Sequence, residues 1–422
     1  MELLNQYGSV LVIFTAIVGF MMAFGIGAND VSNAMGTSVG SGTITVKQAI
    51  IIAMIFEVAG AYLAGGEVAD TIKSGIIDPS EFANHPDVLV LGMMSSLCAA
   101  GFWLIIATKM GWPVSATHTI IGAVIGFALV TIGSEAIQWG ALGGIVGSWF
   151  VTPILSGVVA YLIFINSQKL IFNRSQPFKQ AKKYGPMYMA ITIFILVIVT
   201  VSKGLKHVGL HLNTLQTLVV SLAFALIAFI FGYFYFRSKR FTMKVRSEGK
   251  GFIGVEKIFS NLMLLTACAM AFAHGSNDVA NAIGPLAAVE SIVRSGGIIE
   301  GKTMMAPWIL PLGALGMMFG LAIMGKSVMA TVGTGITELT PSRGFAAQFA
   351  CAVTVVIASG TGLPISTTQT LVGAVLGVGF ARGIAALNLG VIRNIIVSWV
   401  ITLPAGAMLS IIIYFILSAL FH

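Results

Sequence analysis

The chain has 422 residues, of which 57% are hydrophobic and only 9% charged, and its mean hydropathy is +0.96. Such a balance excludes a soluble multidomain protein and a disordered chain alike, because the polar residues are too few to cover a water-exposed surface or to keep the chain solvated. The net charge of +8, from 23 basic and 15 acidic residues, would suit a nucleic-acid binder only if the charges formed one face, and they do not. Lys169, Arg174, Lys179, Lys182 and Lys183 crowd one interval, and Arg237, Lys239, Arg240, Lys244, Arg246, Lys250 and Lys257 another. Both read as cytoplasmic loops under the positive-inside rule, spanning 166–185 and 237–256, and no nucleic-acid partner is expected.

Apolar runs follow at about 8–28, 46–66, 89–108, 113–132, 139–165, 186–202, 214–236, 257–277, 305–325, 345–360, 364–381 and 389–420. A hydrocarbon core about 30 Å thick takes about 20 apolar residues per crossing, so the pattern predicts an all-α polytopic protein of about twelve transmembrane helices. With both termini outside, the acidic segment from Glu67 to Asp87 falls outside and both basic intervals inside. Tyr233 to Phe236, before Arg237, reads as an interfacial aromatic belt. The N-terminal sequence lacks the basic start of a signal peptide, so the first run is expected to remain as a span. Cys98, Cys268 and Cys351 stand alone, which argues against a disulfide framework or a zinc site. His207 and His211 share a loop, and two histidines alone make a poor metal site.

The chain contains a duplication. MAFGIGANDVSNAMG at 22–36 matches MAFAHGSNDVANAIG at 270–284, and GWPVSATHTIIGAVIG at 111–126 matches GLPISTTQTLVGAVLG at 362–377, in the same order. Repeat 1 is expected over 1–165, two linking spans with the basic loops over 166–256, and repeat 2 over 257–422. About seven crossings separate equivalent points, and an odd number turns the second repeat over. The expected design is therefore two inverted-topology repeats with broken or re-entrant helices, the substrate sitting between them.

Two kinds of chemistry repeat with the sequence. Asp30 and Asp278 lie inside apolar runs, where an unpaired carboxylate costs at least about 2 kcal/mol. Each belongs to an Asn-Asp-Val-x-Asn motif, Asn29, Asp30 and Asn33 in one copy and Asn277, Asp278 and Asn281 in the other. Flanking glycines predict local unwinding, and carbonyl, amide and carboxylate oxygens are hard ligands suited to sodium. The alternative for the asparagines is helix capping or helix-to-helix hydrogen bonding. Pro113 and Pro364 each open a hydroxyl-rich stretch, Ser115, Thr117, His118 and Thr119 in one and Ser366, Thr367, Thr368, Gln369 and Thr370 in the other. Each predicts a helix N-terminus, where free N–H groups and the dipole attract an oxyanion, although simple capping needs the same residues.

Neither motif contains Lys or Arg. A bound oxyanion beside two aspartates therefore needs cations that arrive with it. Glu57 is a third intramembrane carboxylate, an extra ion or proton site or else the partner of a neighbouring helix.

The duplicated signature, the two proline-hydroxyl blocks and Phe56-Glu57 together resemble the inorganic phosphate transporter (PiT) family over both repeats. Gln369 departs from its pattern, standing where that family often carries a second histidine. The resemblance implies import of phosphate by symport with sodium as co-substrate, or with protons, by alternating access in a cell-membrane homodimer without cofactor. A proton-coupled or metal-phosphate symporter and a passive anion channel are the alternatives. An enzyme is disfavoured, because no nucleophile-base pair or nucleotide loop is present.

Overall fold

The computed structural model describes residues 2–203, 212–238, 241, 252–299, 305–326, 328–329, 336–383, 385 and 387–421. The side chains of Glu2, Asn5, Ser32, Asn33 and Lys203 lie outside that description, as do His207, His211, Lys239, Arg240, Lys244, Arg246 and Lys250. Regular structure in the described residues is helical, apart from a single antiparallel bridge between Ile77 and Ile137.

Helices α1 (Glu2–Ile26), α2 (Ser32–Gly40), α3 (Val46–Ala64), α4 (Gly66–Ser74), α5 (Pro86–Lys109), α6 (Ala116–Thr131) and α7 (Trp139–Ser167) come first along the chain. Helices α8 (Pro177–Lys203) and α9 (Thr214–Arg237) follow as a peripheral pair. Then come α10 (Phe252–Arg294), α11 (Ile309–Met324), α12 (Pro341–Gly360), α13 (Thr367–Arg382) and α14 (Leu389–Phe421). Among the described residues nine helical segments are long and apolar enough to cross a membrane. The three remaining apolar runs fall on α6, α11 and α13, each of 16 residues. At 1.5 Å per residue these are about 24 Å long, shorter than a hydrocarbon core.

Local sequence explains the boundaries. Thr45 and Gln48 form a capping box that starts α3, as Asn213 and Gln216 do for α9. The acidic segment after α3 folds as α4 and a 3-10 turn, Pro79–Phe82, rather than as an irregular loop. Gly111 and Gly362 turn the chain between α5 and α6 and between α12 and α13 with φ of +68° and +72°, values that only glycine adopts without strain. The basic interval 166–185 is largely helical, ending α7 in a π turn at Gln168–Phe172 and opening α8. Arg237 lies 3.6 Å over the Tyr233 ring beside exposed Phe234 and Tyr235, an arrangement suited to an interface between lipid and water.

The two repeats interlock. α6 packs on α14 and α13 on α7. A side-chain carbon on Gly122 would strike the Leu403 carbonyl, and one on the matching Gly373 would strike the Pro153 carbonyl. Close backbone approach through small residues is the main source of cohesion between helices in lipid, where no hydrophobic drive separates helix from solvent.

The expected unwinding at the Asn-Asp motifs is corrected by the structure. The first motif stays helical with one π turn, Gly27–Val31, and the second lies within the continuous 43-residue α10. Packing explains the glycines instead. A Cβ on Gly27 would collide with the backbone of Met317 in α11, and a Cβ on Gly275 with the backbone of Glu57 in α3. Reciprocally, Gly320 faces the Phe24 carbonyl and Gly60 the Phe272 carbonyl. The glycines allow close helix crossing, one crossing per motif.

Candidate functional site

α6 and α13 begin beside one another in buried surroundings. Ser115 accepts a hydrogen bond from the His118 N–H at 3.2 Å, and Ser366 accepts one from the Gln369 N–H at 3.2 Å. Both serines are thus N-caps, and the helix starts expected at the proline blocks are present. The Thr117 hydroxyl donates to the Ile365 carbonyl at 2.9 Å, while the matching Thr368 hydroxyl lies 3.2 Å from the Val114 carbonyl. Each helix start is tied to the strand-like residues leading into the other.

The motif helices hold this pair of helix starts. Asn29 donates to the Thr108 hydroxyl at 3.2 Å and the Trp112 carbonyl at 2.9 Å, and accepts from the Val114 N–H at 3.2 Å. In the second copy Asn277 donates to the Ser359 hydroxyl at 3.1 Å and the Leu363 carbonyl at 3.3 Å. Both asparagines therefore clamp the turn before their own repeat's half-length helix. Asn281 reaches across the repeats, donating to the Thr117 hydroxyl at 3.1 Å. The side chain of Asn33 lies outside the described residues.

The aspartates occupy the helix starts themselves. Asp30 accepts from the Ala116 N–H, the first of α6, at 3.2 Å and from the Thr368 hydroxyl at 3.0 Å. Asp278 accepts from the Thr367 hydroxyl at 2.6 Å. Both carboxylates are buried, at 1% and 0% exposure. Thr119 and Thr370 turn back to their own helices, bonding the Ser115 and Ser366 carbonyls at 2.8 Å each. His118 lies 3.8 Å from the Trp149 ring, centre to centre. The helix starts thus gather Thr117, Thr367 and Thr368 with the aspartates, while Ser115, Ser366 and Thr119 satisfy their own helices and Thr370 bonds both its own helix and the Thr152 hydroxyl of α7 at 3.2 Å.

One residue that sequence reasoning missed joins this centre. His274 Nδ1 lies 3.0 Å from Glu57 Oε2, and His274 Nε2 lies 2.8 Å from Asp278 Oδ2. Asp30, His274 and Asp278 bring one ligand atom each within 4.8 Å of one another. At an effective dielectric of about 20, two full charges at that separation repel by about 3–4 kcal/mol. Among the described residues no lysine or arginine forms an ion pair with Asp30, Glu57 or Asp278. The Glu57–His274 pair breaks the internal symmetry, because at the matching crossing of α11 with α1 the equivalent positions are Met317 and Ile26, both buried. The sequence signals that could have found His274 are its spacing of four from Asp278 on one helix face and a Glu57 without an acidic counterpart.

The fold and this centre define a polytopic helical membrane protein whose polar heart is duplicated and closed off from solvent. The chain belongs to the phosphate transporter family, which it matches over residues 26–410. It is 69% identical, over the full length of both chains, to a Haemophilus influenzae protein named "Putative phosphate permease". It is 42% identical to a Pyrococcus abyssi protein of the same description, covering 96% of this chain and 97% of that one. Among solved structures it is similar to "The sodium-dependent phosphate transporter", with a TM-score of 0.90 and 40% identity over 97% of this chain and 99% of the other. The family and these relatives are transporters rather than enzymes, and phosphate is the substrate class of this chain.

Proposed function

We propose that the protein imports phosphate across the cell membrane by symport with sodium, the two repeats rocking about the meeting point of α6 and α13. The observation that carries this reading is that Asp30 and Asp278 take up the donors an oxyanion would need: the Ala116 N–H and the Thr368 and Thr367 hydroxyls. With the aspartates in place, a phosphate meets two carboxylates and few free donors. Sodium bound by Asp30 and Asp278, with Asn281 Oδ1, a buried oxygen with no hydrogen-bond partner among the described residues, within the same motif, neutralises the carboxylates and draws them from the helix starts. The released N–H and hydroxyl groups then face the anion at two helix N-termini. Cation and anion bind together because each removes the penalty of the other, and that linkage couples their transport. Ser115 and Ser366 hold the helix starts in shape, and Asn29 and Asn277 fix their distance.

Two half-length helices that begin at one point and lead away from it favour repeats of opposite topology, with the basic intervals 166–185 and 237–256 on the cytoplasmic side and both termini outside. The sodium dependence named for the similar solved structure supports the choice of ion. Proton coupling is the second reading, favoured by His274 lying between Glu57 and Asp278, a path along which a proton can replace a cation. Labelled-phosphate uptake into proteoliposomes, with sodium, potassium and pH gradients imposed one at a time, tests both. Accumulation above equilibrium with an inward sodium gradient alone is expected. Accumulation with only a pH gradient would replace sodium by protons, and equilibration without accumulation would make the protein a passive pore.

A further inference from the structure

An apolar groove of about 390 Å³ runs between α7 and α13, lined by Pro153, Ile154, Val158, Tyr161, Leu376 and Phe380. Ile154, Val158, Tyr161 and Phe380 are exposed on the outer surface of the protein, where lipid surrounds it. The two helices run side by side in the same direction: a Cβ on Gly373 would meet the Pro153 carbonyl, and one on Gly377 the Gly157 carbonyl. One further turn brings Tyr161 level with the end of α13. There the apolar lining gives way, two residues after Phe380, to Arg382, the last residue of α13. We infer that this groove and Arg382, together with Arg343 of α12, hold one anionic phospholipid, with an acyl chain along the groove and the phosphate between the guanidinium groups.

The backbone holds the basic end together. Arg343 Nη1 donates to the Glu338 carbonyl at 3.0 Å, and Arg382 Nη1 donates to the same carbonyl and to the Thr337 hydroxyl, each at 3.2 Å. One carbonyl oxygen thus gathers two guanidinium groups against their mutual repulsion. The Glu338 carboxylate lies 3.5 Å from Arg343 and 3.7 Å from Arg382, but its side chain is 81% exposed, and an exposed ion pair of this kind holds weakly. Among the described residues no other acid forms an ion pair with either arginine. Glu256 of α10 is occupied by Ser342, accepting from its N–H at 2.8 Å and its hydroxyl at 2.7 Å. A phosphodiester matches the forked guanidinium geometry and displaces the Glu338 carboxylate from it. Any lipid tail fills an apolar groove, so the headgroup charge decides which lipid stays. A free anion would use the arginines and leave the groove unexplained, and a second copy of the chain would cover the groove without needing an anion. The arrangement belongs to one half of the duplication, because α6, which matches α13, ends on Thr131 instead of an arginine.

The test uses the full chain in detergent micelles, titrated with dioleoyl phosphatidylglycerol or dioleoyl phosphatidylcholine and read by native mass spectrometry. One phosphatidylglycerol per chain is expected, held about tenfold or more tighter than phosphatidylcholine. Arg343→Gln combined with Arg382→Gln should abolish that preference. Val158→Trp, which fills the groove from its exposed side, should weaken both lipids, and Glu338→Gln, which removes the competing carboxylate, should tighten phosphatidylglycerol alone. Equal affinity for the two lipids in the wild type, or a preference that survives in the double arginine variant, overturns the site. Displacement of the bound lipid by inorganic phosphate overturns it in favour of a free anion. A dimer that dissociates in Val158→Trp with lipid binding unchanged overturns it in favour of a second copy. Should the arginine variant not fold, Val158→Trp and Glu338→Gln alter exposed side chains only, and unchanged phosphatidylglycerol binding in both refutes the proposal.

Discussion

Replacing Glu57 and His274 by the residues of the matching crossing, Met and Ile, separates their mutual pairing from their other contacts. In the native protein His274 sits between two carboxylates, 3.0 Å from Glu57 and 2.8 Å from Asp278, and all three are buried. His274→Ile removes the only side-chain partner of Glu57 among the described residues and leaves its carboxylate buried without a counter-charge, a change that costs about 3–5 kcal/mol. Glu57→Met is milder, because the imidazole keeps Asp278. It orphans one ring nitrogen, at about 1–3 kcal/mol. In the double variant the stranded carboxylate is gone, so the cost of His274→Ile should be about 2 kcal/mol or more smaller beside Glu57→Met than in the native protein. Reversible unfolding in mixed micelles of rising denaturing-detergent fraction gives the free energies for a double-mutant cycle. Additive effects within about 0.5 kcal/mol would refute a direct Glu57–His274 interaction.

Three other outcomes follow from the geometry. On the proposed sodium symport, Asp30→Asn and Asp278→Asn should each raise the sodium concentration for half-maximal phosphate uptake at least about tenfold, because each removes a full charge from the proposed cation ligands; unchanged sodium dependence in proteoliposomes would remove the aspartates from the coupling. Gly27→Val and Gly373→Val should each destabilise the protein by about 1–3 kcal/mol or more, since the added carbons meet the backbone at Met317 and Pro153 rather than a movable side chain, whereas Gly140→Ala, with open space around it, should leave detergent thermostability unchanged. The Ser80 hydroxyl and N–H hold the Asp78 carboxyl below its usual value of 3.8. A lowered folded-state value stabilises the turn above the unfolded value and is lost as pH falls through the folded one, so the Ser80 amide should stay protected at neutral pH and exchange faster below about pH 4 than in Asp78→Asn controls corrected for intrinsic rate.

Much of the fold was legible in the chain because the constraints are local or compositional. Each apolar run lies mainly on one helix. The proline-hydroxyl blocks became capped helix starts at Ser115 and Ser366, since capping depends on residues three positions apart. The glycines beside Asp30 and Asp278 misled, because a glycine that lets a helix unwind and one that lets another helix touch look alike in sequence. Only the neighbour's position, Met317 for Gly27 and Glu57 for Gly275, separates the two roles.

The sequence by itself determined that the chain lives in a membrane, that it is duplicated, and that carboxylates and helix starts repeat within it, since hydropathy, period and capping are properties of short stretches. Only the tertiary structure decided that Asp30 takes the first N–H of α6 together with a hydroxyl from the other repeat, and that Glu57 and His274, 217 residues apart, pair across the α3–α10 crossing. Read along the chain, His274 is one divergent position opposite Ile26. It becomes a buried link between two carboxylates only when close helix packing through Gly60 and Gly275 brings two distant stretches to one point, and no local pattern encodes that meeting.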